Sequence, residues 1–436
     1  MTSTSRFHRY CRVLALVPLA VGCKPRSLHP AGDASVSKCE TRNPLRSEGD
    51  PAIPGNADAD RVPVRLLESS NRFALEMYRR AVEPKKNLIL SPVSMAAALS
   101  MAMEGARGET RRQIAGVLHV DSADESSSLA GLFTALTRHS HDGSELRVAS
   151  LLWVQKDLAI NPDFVTFLRD RFDTRLGTVD FVRTPDTARR NINSWTYEQT
   201  DGQIDEVLSA EAITPYTRLL ISDAVYFRGL WEHPFKSADT IDRNFAAVTG
   251  NASVKTMSAE LLVAHVAVSG ARLLELPYGN GATMMIVLPD AIAGLGSIEH
   301  DVETEYSRWR TALVAARPVP GRTFAPTRLK VFLPRWRART ALQCNDVLRT
   351  LGMVLPFERG AADFARISSD PLYVERVTQA ASIDVNELGS TSAAGTGISF
   401  ALDSEPPEFR ADHPFLYFII DPSGLITFIG RVVDPR

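Results

Sequence analysis

From Leu388 to Leu402 the chain carries no charge and no proline. An unpaired buried charge loses more solvation than a strand contact returns, and proline removes a ladder hydrogen bond. That double absence leaves this stretch free to enter a sheet interior. Cysteine is scarce too, with 4 in 436 residues. Cys39 and Cys344 could bridge in an oxidising compartment, but one widely separated pair is thin support for a disulfide. Neither sign of charge dominates: 49 basic residues face 51 acidic ones, so net charge favours neither nucleic acid nor a strongly acidic partner. The N-terminal apolar run Val13–Val21 is too short to span a bilayer as a helix. Hydrolase signatures are missing as well, with no Gly-x-Ser-x-Gly, no His-Glu-x-x-His and no phosphate-binding glycine loop. No metal site or cofactor is indicated.

The run Val13–Val21 does have the length of a signal-peptide core, and Arg6, His8, Arg9 and Arg12 precede it. Export is therefore expected. Ala20-Val21-Gly22-Cys23 resembles a bacterial lipobox, in which the cysteine is lipidated and becomes the new N-terminus, with plain secretion as the alternative. Acyl chains on Cys23 would tether the protein to a membrane surface, each buried methylene contributing about 0.8 kcal/mol. Residues 24–60 are rich in Pro, Gly, Ser, Ala and Asp without hydrophobic period, as a flexible spacer is. The expected organisation is a signal peptide over 1–22, a spacer over 23–61 and one folded region over 62–436.

Within that region Leu67, Ser70, Phe73, Ala74, Met77, Tyr78 and Ala81 recur at helical spacing, which predicts a helix over Leu66–Ala81. The short apolar run Asn87–Leu90 reads as a strand. Ser91-Pro92 should cap and start a helix through Met103 that Gly105 terminates. A further helix should contain Ile114, Val117 and Leu118, which makes the N-terminal third mostly helical. From Leu219 onward the pattern changes to strands: Leu219–Phe227, Leu273–Leu276, Thr283–Leu288 and Leu329–Leu333. Several are apolar on both faces, as strands of a sheet covered on two sides are. Phe415–Ile420, the turn Asp421-Pro422-Ser423-Gly424 and Leu425–Val433 predict a buried hairpin around a type I turn.

In the uncharged stretch Ser390, Ser392, Ala394 and Thr396 would share one face of an extended strand and need little room. Composition alone also fits a solvated Gly/Ser/Ala linker. Beyond that, Asn87-Leu88-Ile89-Leu90-Ser91-Pro92-Val93-Ser94, Gly105-Ala106-Arg107-Gly108-Glu109-Thr110, Asn193-Ser194-Trp195, Thr200-Asp201-Gly202-Gln203-Ile204, Tyr226-Phe227-Arg228-Gly229-Leu230-Trp231, Pro234-Phe235 and His413-Pro414-Phe415 stand in order along the chain. With these motifs and the loop, the chain resembles the serpin family over essentially all of Val62–Arg436.

The resemblance implies a mixed α/β fold (α+β) with three sheets, about nine helices and an exposed reactive loop. It implies a suicide-substrate inhibitor of serine endopeptidases, with cysteine endopeptidases as the alternative, and not an enzyme. The cut loop inserts into the central sheet and traps the acyl-enzyme. The hinge would be Glu387, Gly389, Ser390, Thr391, Ser392, Ala393, Ala394, Gly395 and Thr396, with Thr391 in place of the usual acidic residue and Ser392 and Gly395 in place of alanines. The family register puts the scissile bond between Asp403 and Ser404, a site for a protease that prefers acidic residues, with Leu402 or Phe400 serving an apolar preference if the register slides. A region governing sheet opening would comprise Ser91, Ser94, Trp195, Asp223 and Gln379, where many members have asparagine and histidine at the last two positions. A buried Asp223 would need hydrogen bonds from Gln379 or the serines, or a raised pKa, and would make sheet opening depend on pH. A solvated Asp223 would do neither. Arg335, Arg337 and Arg339 alternate along a strand, as a solvated face does more often than an anion-binding patch. A monomer is expected, and a non-inhibitory surface binding protein is the alternative reading.

Overall fold

The computed structural model describes residues 62–120, 129, 131, 145–318, 328–389 and 406–436. The expected signal peptide, Cys23, the spacer with Cys39 and the loop residues Ser390–Ser404 lie outside the described residues. Helix α1 (Val64–Ala81) starts two residues before the predicted helix and buries Leu66, Ser70, Phe73, Ala74, Met77, Tyr78 and Ala81. Strand β1 (Leu88–Leu90) leads into α2 (Pro92–Gly105), a helix buried at almost every position because it runs behind a sheet.

Two details of α2 differ from expectation. The Ser91 hydroxyl makes no capping bond; the Ser91 peptide is engaged by Gln379 instead. Gly105 does not break the helix by a left-handed turn but belongs to its last turn. A Cβ there would meet Ile367 Cγ1 at 2.3 Å, so the glycine makes room for a neighbour.

Helix α3 (Gly108–Val117) follows, then the long strand β2 (Glu145–Gln155), α4 (Pro162–Phe172), β3 (Gly177–Val179), α5 (Pro185–Gln199) and β4 (Leu219–Arg228). The chain continues through β5 (Ile241–Ala247), β6 (Gly250–Leu261), β7 (His265–Val268), β8 (Ala271–Pro277), β9 (Thr283–Pro289), α6 (Leu295–His300), α7 (Val302–Ala315), β10 (Leu329–Pro334), β11 (Trp336–Gln343) and α8 (Asn345–Thr350). It ends with β12 (Val374–Val385), β13 (Glu408–Arg410), β14 (Phe415–Ile420) and β15 (Ile426–Val432). The described residues thus hold eight α-helices, none long and apolar enough to cross a membrane.

The strands form three sheets: β1-β15-β14-β9-β8-β7, β13-β10-β6-β5 and β11-β12-β4-β2-β3. The predicted hairpin is β14–β15, its turn closed by Gly424 N–H donating to Asp421 O at 3.0 Å. All six residues of β14 are buried, as strands covered on both faces must be.

The five-stranded sheet positions the site. Its inner face meets two hydrophobic clusters. Lower on β4 and β12, Leu219, Ile221, Val374 and Val377 join the cluster beneath α2. Higher up, Val225, Phe227, Ala381, Ile383 and Val385 join the cluster shared with the other two sheets. Between the two clusters, on that same face, stand Asp223 and Gln379.

Candidate functional site

At the middle of the five-stranded sheet β4 and β12 run parallel, whereas each is antiparallel to its other neighbour. This parallel seam pairs Thr378 with Ser222, Gln379 with Asp223, Ala381 with Val225 and Ile383 with Phe227.

Strand β12 then reverses at the upper end of the seam. Asn386 N–H donates to Gly389 O at 2.9 Å and Gly389 N–H returns to Asn386 O at 3.1 Å, closing a tight turn that the Asn386 side chain supports by accepting from Leu388 N–H at 3.1 Å. Gly389 also bridges Leu230, just beyond β4. Gly389 therefore sits between the extensions of β12 and β4. Its φ is +108°, and a Cβ would fall 2.1 Å from Gly229 O. No other residue fits there.

The turn is held from three sides. Trp231 N–H donates to Leu388 O at 3.0 Å, Trp231 Nε1–H to Asn386 O at 3.0 Å, and Phe235 N–H to Glu387 O at 2.8 Å. Trp231 in turn stacks on Tyr278 with ring centroids 4.4 Å apart. The Glu387 carboxylate accepts from Arg335 Nε at 2.8 Å and from the Thr240 hydroxyl. Burial works to raise its pKa, yet these donors hold it below the usual carboxylate range.

Midway down the seam Asp223, 1% exposed, takes three side-chain donors. Ser94 Oγ donates from α2 at 2.5 Å, Ser150 Oγ from β2 at 2.8 Å and Gln379 Nε2 from β12 at 2.6 Å. Gln379 is itself fixed by the Ser91 peptide: its Oε1 accepts from Ser91 N–H at 3.0 Å and its Nε2 donates to Ser91 O at 2.8 Å. Burial pushes the Asp223 carboxyl up to about 6, and the donors from Ser94, Gln379 and Ser150 offset only part of that.

Ser91, Ser94, Asp223 and Gln379 are thus brought together as a single buried cluster. Trp195 does not join it: it lies on α5 over the opposite face of the sheet, edge-on to Trp153 with centroids 5.8 Å apart. The tryptophan that holds the Asn386–Gly389 turn is Trp231. The motif spacing places Trp195 on a helix but does not say which face of the sheet that helix covers.

Ser150, Thr240 and the Arg335–Glu387 pair are partners that the sequence reading missed. Ser150 had a usable signal, being the polar residue among Val148, Leu152 and Val154 on one face of β2. The three alternating arginines, Arg335 just before β11 and Arg337 and Arg339 within it, are each engaged: Arg335 with Glu387, Arg337 with Asp384 and Arg339 with Gln203. Cys344 is a fully buried free thiol.

The family model Serpin (serine protease inhibitor) matches residues 68–435. A leukocyte elastase inhibitor of Xenopus tropicalis is 33% identical over 385 residues, 85% of this chain and 99% of that protein. An uncharacterised serpin-like protein of Thermococcus kodakarensis is 32% identical over 381 residues, 85% of this chain and 86% of its own length. The crystal structure of Serpin48, a highly specific serpin of the insect Tenebrio molitor, superposes with a TM-score of 0.74 at 27% identity, covering 86% of this chain and 99% of that one. From the match of nearly the whole folded region, the chain belongs to the serpin family.

Proposed function

We propose that this serpin is a suicide-substrate inhibitor of serine endopeptidases, which traps its target by inserting the cut loop into the β4–β12 seam. The observation that carries this reading is Gly389, already paired on one side with Asn386 and on the other with Leu230. Continuing that register down the seam sets Ser390 opposite Val385 and Gly229, Ser392 opposite Ile383 and Phe227, Ala394 opposite Ala381 and Val225, and Thr396 opposite Gln379 and Asp223. The small residues of the loop thereby meet the buried inner face, and Thr396 arrives at the polar cluster with a hydroxyl. Insertion replaces one parallel pairing by two antiparallel ones, which are slightly more stable per residue.

The protease supplies the nucleophile, and the serpin supplies the bait and the sheet. A scissile bond at Asp403–Ser404 suits proteases with a basic specificity pocket, and a bond after Leu402 or Phe400 suits an apolar preference. Export and lipidation at Cys23 would confine this action to the surface that carries the protein. Mass spectrometry of the N-terminal peptide tests that part: an unmodified Cys23 in exported material rules out the anchor.

The deciding experiment incubates the full-length chain with serine and cysteine proteases of acidic, basic and apolar preference, followed by denaturing gels and mass analysis of the released peptide. An SDS-stable complex with a peptide starting at Ser404 is the expected result, and Gly389→Val should abolish the complex while leaving cleavage intact. Gly395 and Gly397 favour the second reading, in which a disordered loop inserts too slowly and is cut without trapping. Clean cleavage by every protease would support it.

A further inference from the structure

Asp223 depends for its whole solvation on three neutral donors, and one of them, Gln379, lies across the seam. Every element packed on this point presents a neutral group to it. Helix α2 brings Ser94, the residue before it brings the Ser91 peptide, β2 brings Ser150, β12 brings Gln379, and the residue before α8 brings the Cys344 thiol. That thiol is kept protonated by burial first and by the Asp223 charge second. No cation is among the partners of Asp223 in the described residues.

Ser94 Oγ carries one proton and has two acceptors in reach, Asp223 Oδ2 at 2.5 Å and Ser91 O at 2.9 Å. With Asp223 ionised, Ser94 gives its proton to the carboxylate. With Asp223 protonated, the carboxyl O–H donates to Ser94 Oγ, and Ser94 turns to Ser91 O. The closed seam therefore satisfies both protonation states.

The parted seam does not. Separating β4 and β12 to admit a strand adds about 4.8 Å between them and strips Gln379 from Asp223 before an incoming strand reaches that level. An ionised Asp223 then stays buried with two donors and loses a charge-assisted bond, roughly twice as strong as the neutral one lost by a protonated Asp223. The parted seam thus binds the proton more tightly than the closed one, and acid favours parting.

We propose that Asp223 is a proton-operated latch on the β4–β12 seam, holding the strands together through Gln379 when ionised and letting them part when protonated. The latch rests on the insertion reading above, since only insertion requires the seam to open.

Annealing of a synthetic peptide matching Gly389–Leu402 to the full-length chain, followed by native gels, reports seam opening without any protease. The wild-type annealing rate is expected to rise on the order of tenfold from pH 7.5 to pH 5, with its midpoint at about 6. Asp223→Asn should anneal at a rate independent of pH, and Gln379→Ala should be fast and flat because the bridge is gone. A flat wild-type profile, or a full pH rise retained in either variant, overturns the latch and leaves the insertion reading standing. Should Asp223→Asn not fold, Gln379→Ala alone decides. A peptide that anneals to no form at any pH removes the insertion reading, and the latch with it.

Discussion

The six-stranded and five-stranded sheets both bury polar side chains, but they spend them differently. In the six-stranded sheet the buried charges reach outward to other elements. Arg431 of β15 pairs with Glu299 of α6 at 3.1 Å, Tyr78 of α1 donates to the same carboxylate at 2.6 Å, and Glu275 of β8 is held by Arg310 of α7 and by Arg317. In the five-stranded sheet, beside the contacts that Ser94 and the Ser91 peptide make from α2 and its start, polar contacts run from strand to strand across the seam, from Gln379 to Asp223 and from Thr378 Oγ1 to Ser222 Oγ at 3.3 Å. The first arrangement fastens helices to a sheet that stays whole. The second holds two strands with side chains that an incoming strand can replace. On the insertion reading proposed above, permanence and re-pairing are assigned to different sheets of one fold.

The hardest break is Arg431→Ala. It leaves Glu299 buried with only the Tyr78 hydroxyl and frees Pro84 O, which Arg431 also holds at 3.1 Å. Removing one partner of a buried pair costs about 3–5 kcal/mol. The urea midpoint should fall accordingly, while the ratio of trapped to cleaved protein in whatever remains folded stays unchanged. A shift in that ratio would mean that the two sheets are not separable in function.

Asp223 gives the next effect. Its folded pKa of about 6 lies above the ordinary value of 3.8, so the folded protein holds this proton more tightly than the unfolded chain does. The stability it contributes is fully present below about pH 4 and is lost as pH rises through about 6. Two units correspond to about 3 kcal/mol. Urea unfolding of wild type minus Asp223→Asn should change by that order between pH 4 and pH 7.5, with wild type gaining on the acid side. A difference that stays constant would place the carboxyl in contact with solvent. This concerns folded against unfolded protein; the parting of the seam is a separate equilibrium with its own proton affinity.

Much of this fold was legible because its strands are bounded by glycine or proline and apolar on both faces, as Thr283–Pro289 and Phe415–Ile420 are. Strand β2 was harder to read, since Ser150 interrupts its apolar run and Gln155 ends it, and both are buried for their hydrogen bonds. The Ser91–Ser94–Asp223–Gln379 cluster was legible by resemblance. Its geometry was not, because four residues from three distant segments meet only when β4 and β12 pair in one register. Glu387 was marked as hinge, but its partners Arg335 and Thr240 are 52 and 147 residues away and carry no local pattern.

Gln379→Leu tests the seam itself. It removes one donor from Asp223 and leaves the N–H of Ser91 without its partner, whereas Ser91 O keeps Met95 N–H at 3.3 Å and Ser94 Oγ at 2.9 Å. Each unsatisfied buried group costs about 1–3 kcal/mol, less whatever local relaxation recovers. The melting temperature of the uncut form should drop and spontaneous loop insertion should accelerate. The cut, inserted form should lose less, because Thr396 reaches the same level in the register set by Gly389. Equal losses in both forms would show that Gln379 braces α2 and does not close the seam.

The smallest effect is expected at the top of the seam. Arg335→Ala removes a guanidinium whose side chain is 43% exposed from a Glu387 carboxylate that is 5% exposed. Solvent screens the arginine, so the pair contributes about 1 kcal/mol or less, and the Thr240 hydroxyl remains on the carboxylate. Because the Glu387 pKa is held low, its contribution is present above the ordinary value of 4.5 and fades as pH falls through the folded value. The melting temperature of Arg335→Ala should therefore differ from wild type by a degree or two in dilute salt at neutral pH, and by less in molar salt, where the Debye length shrinks to about 3 Å. The comparison sharpens here, because the hinge turn is also held by three backbone-directed bonds from Trp231 and Phe235 that salt does not touch. If Arg335→Ala accelerated insertion as much as Gln379→Leu, the ion pair at the hinge, and not the polar cluster midway down, would be the main fastening of the seam.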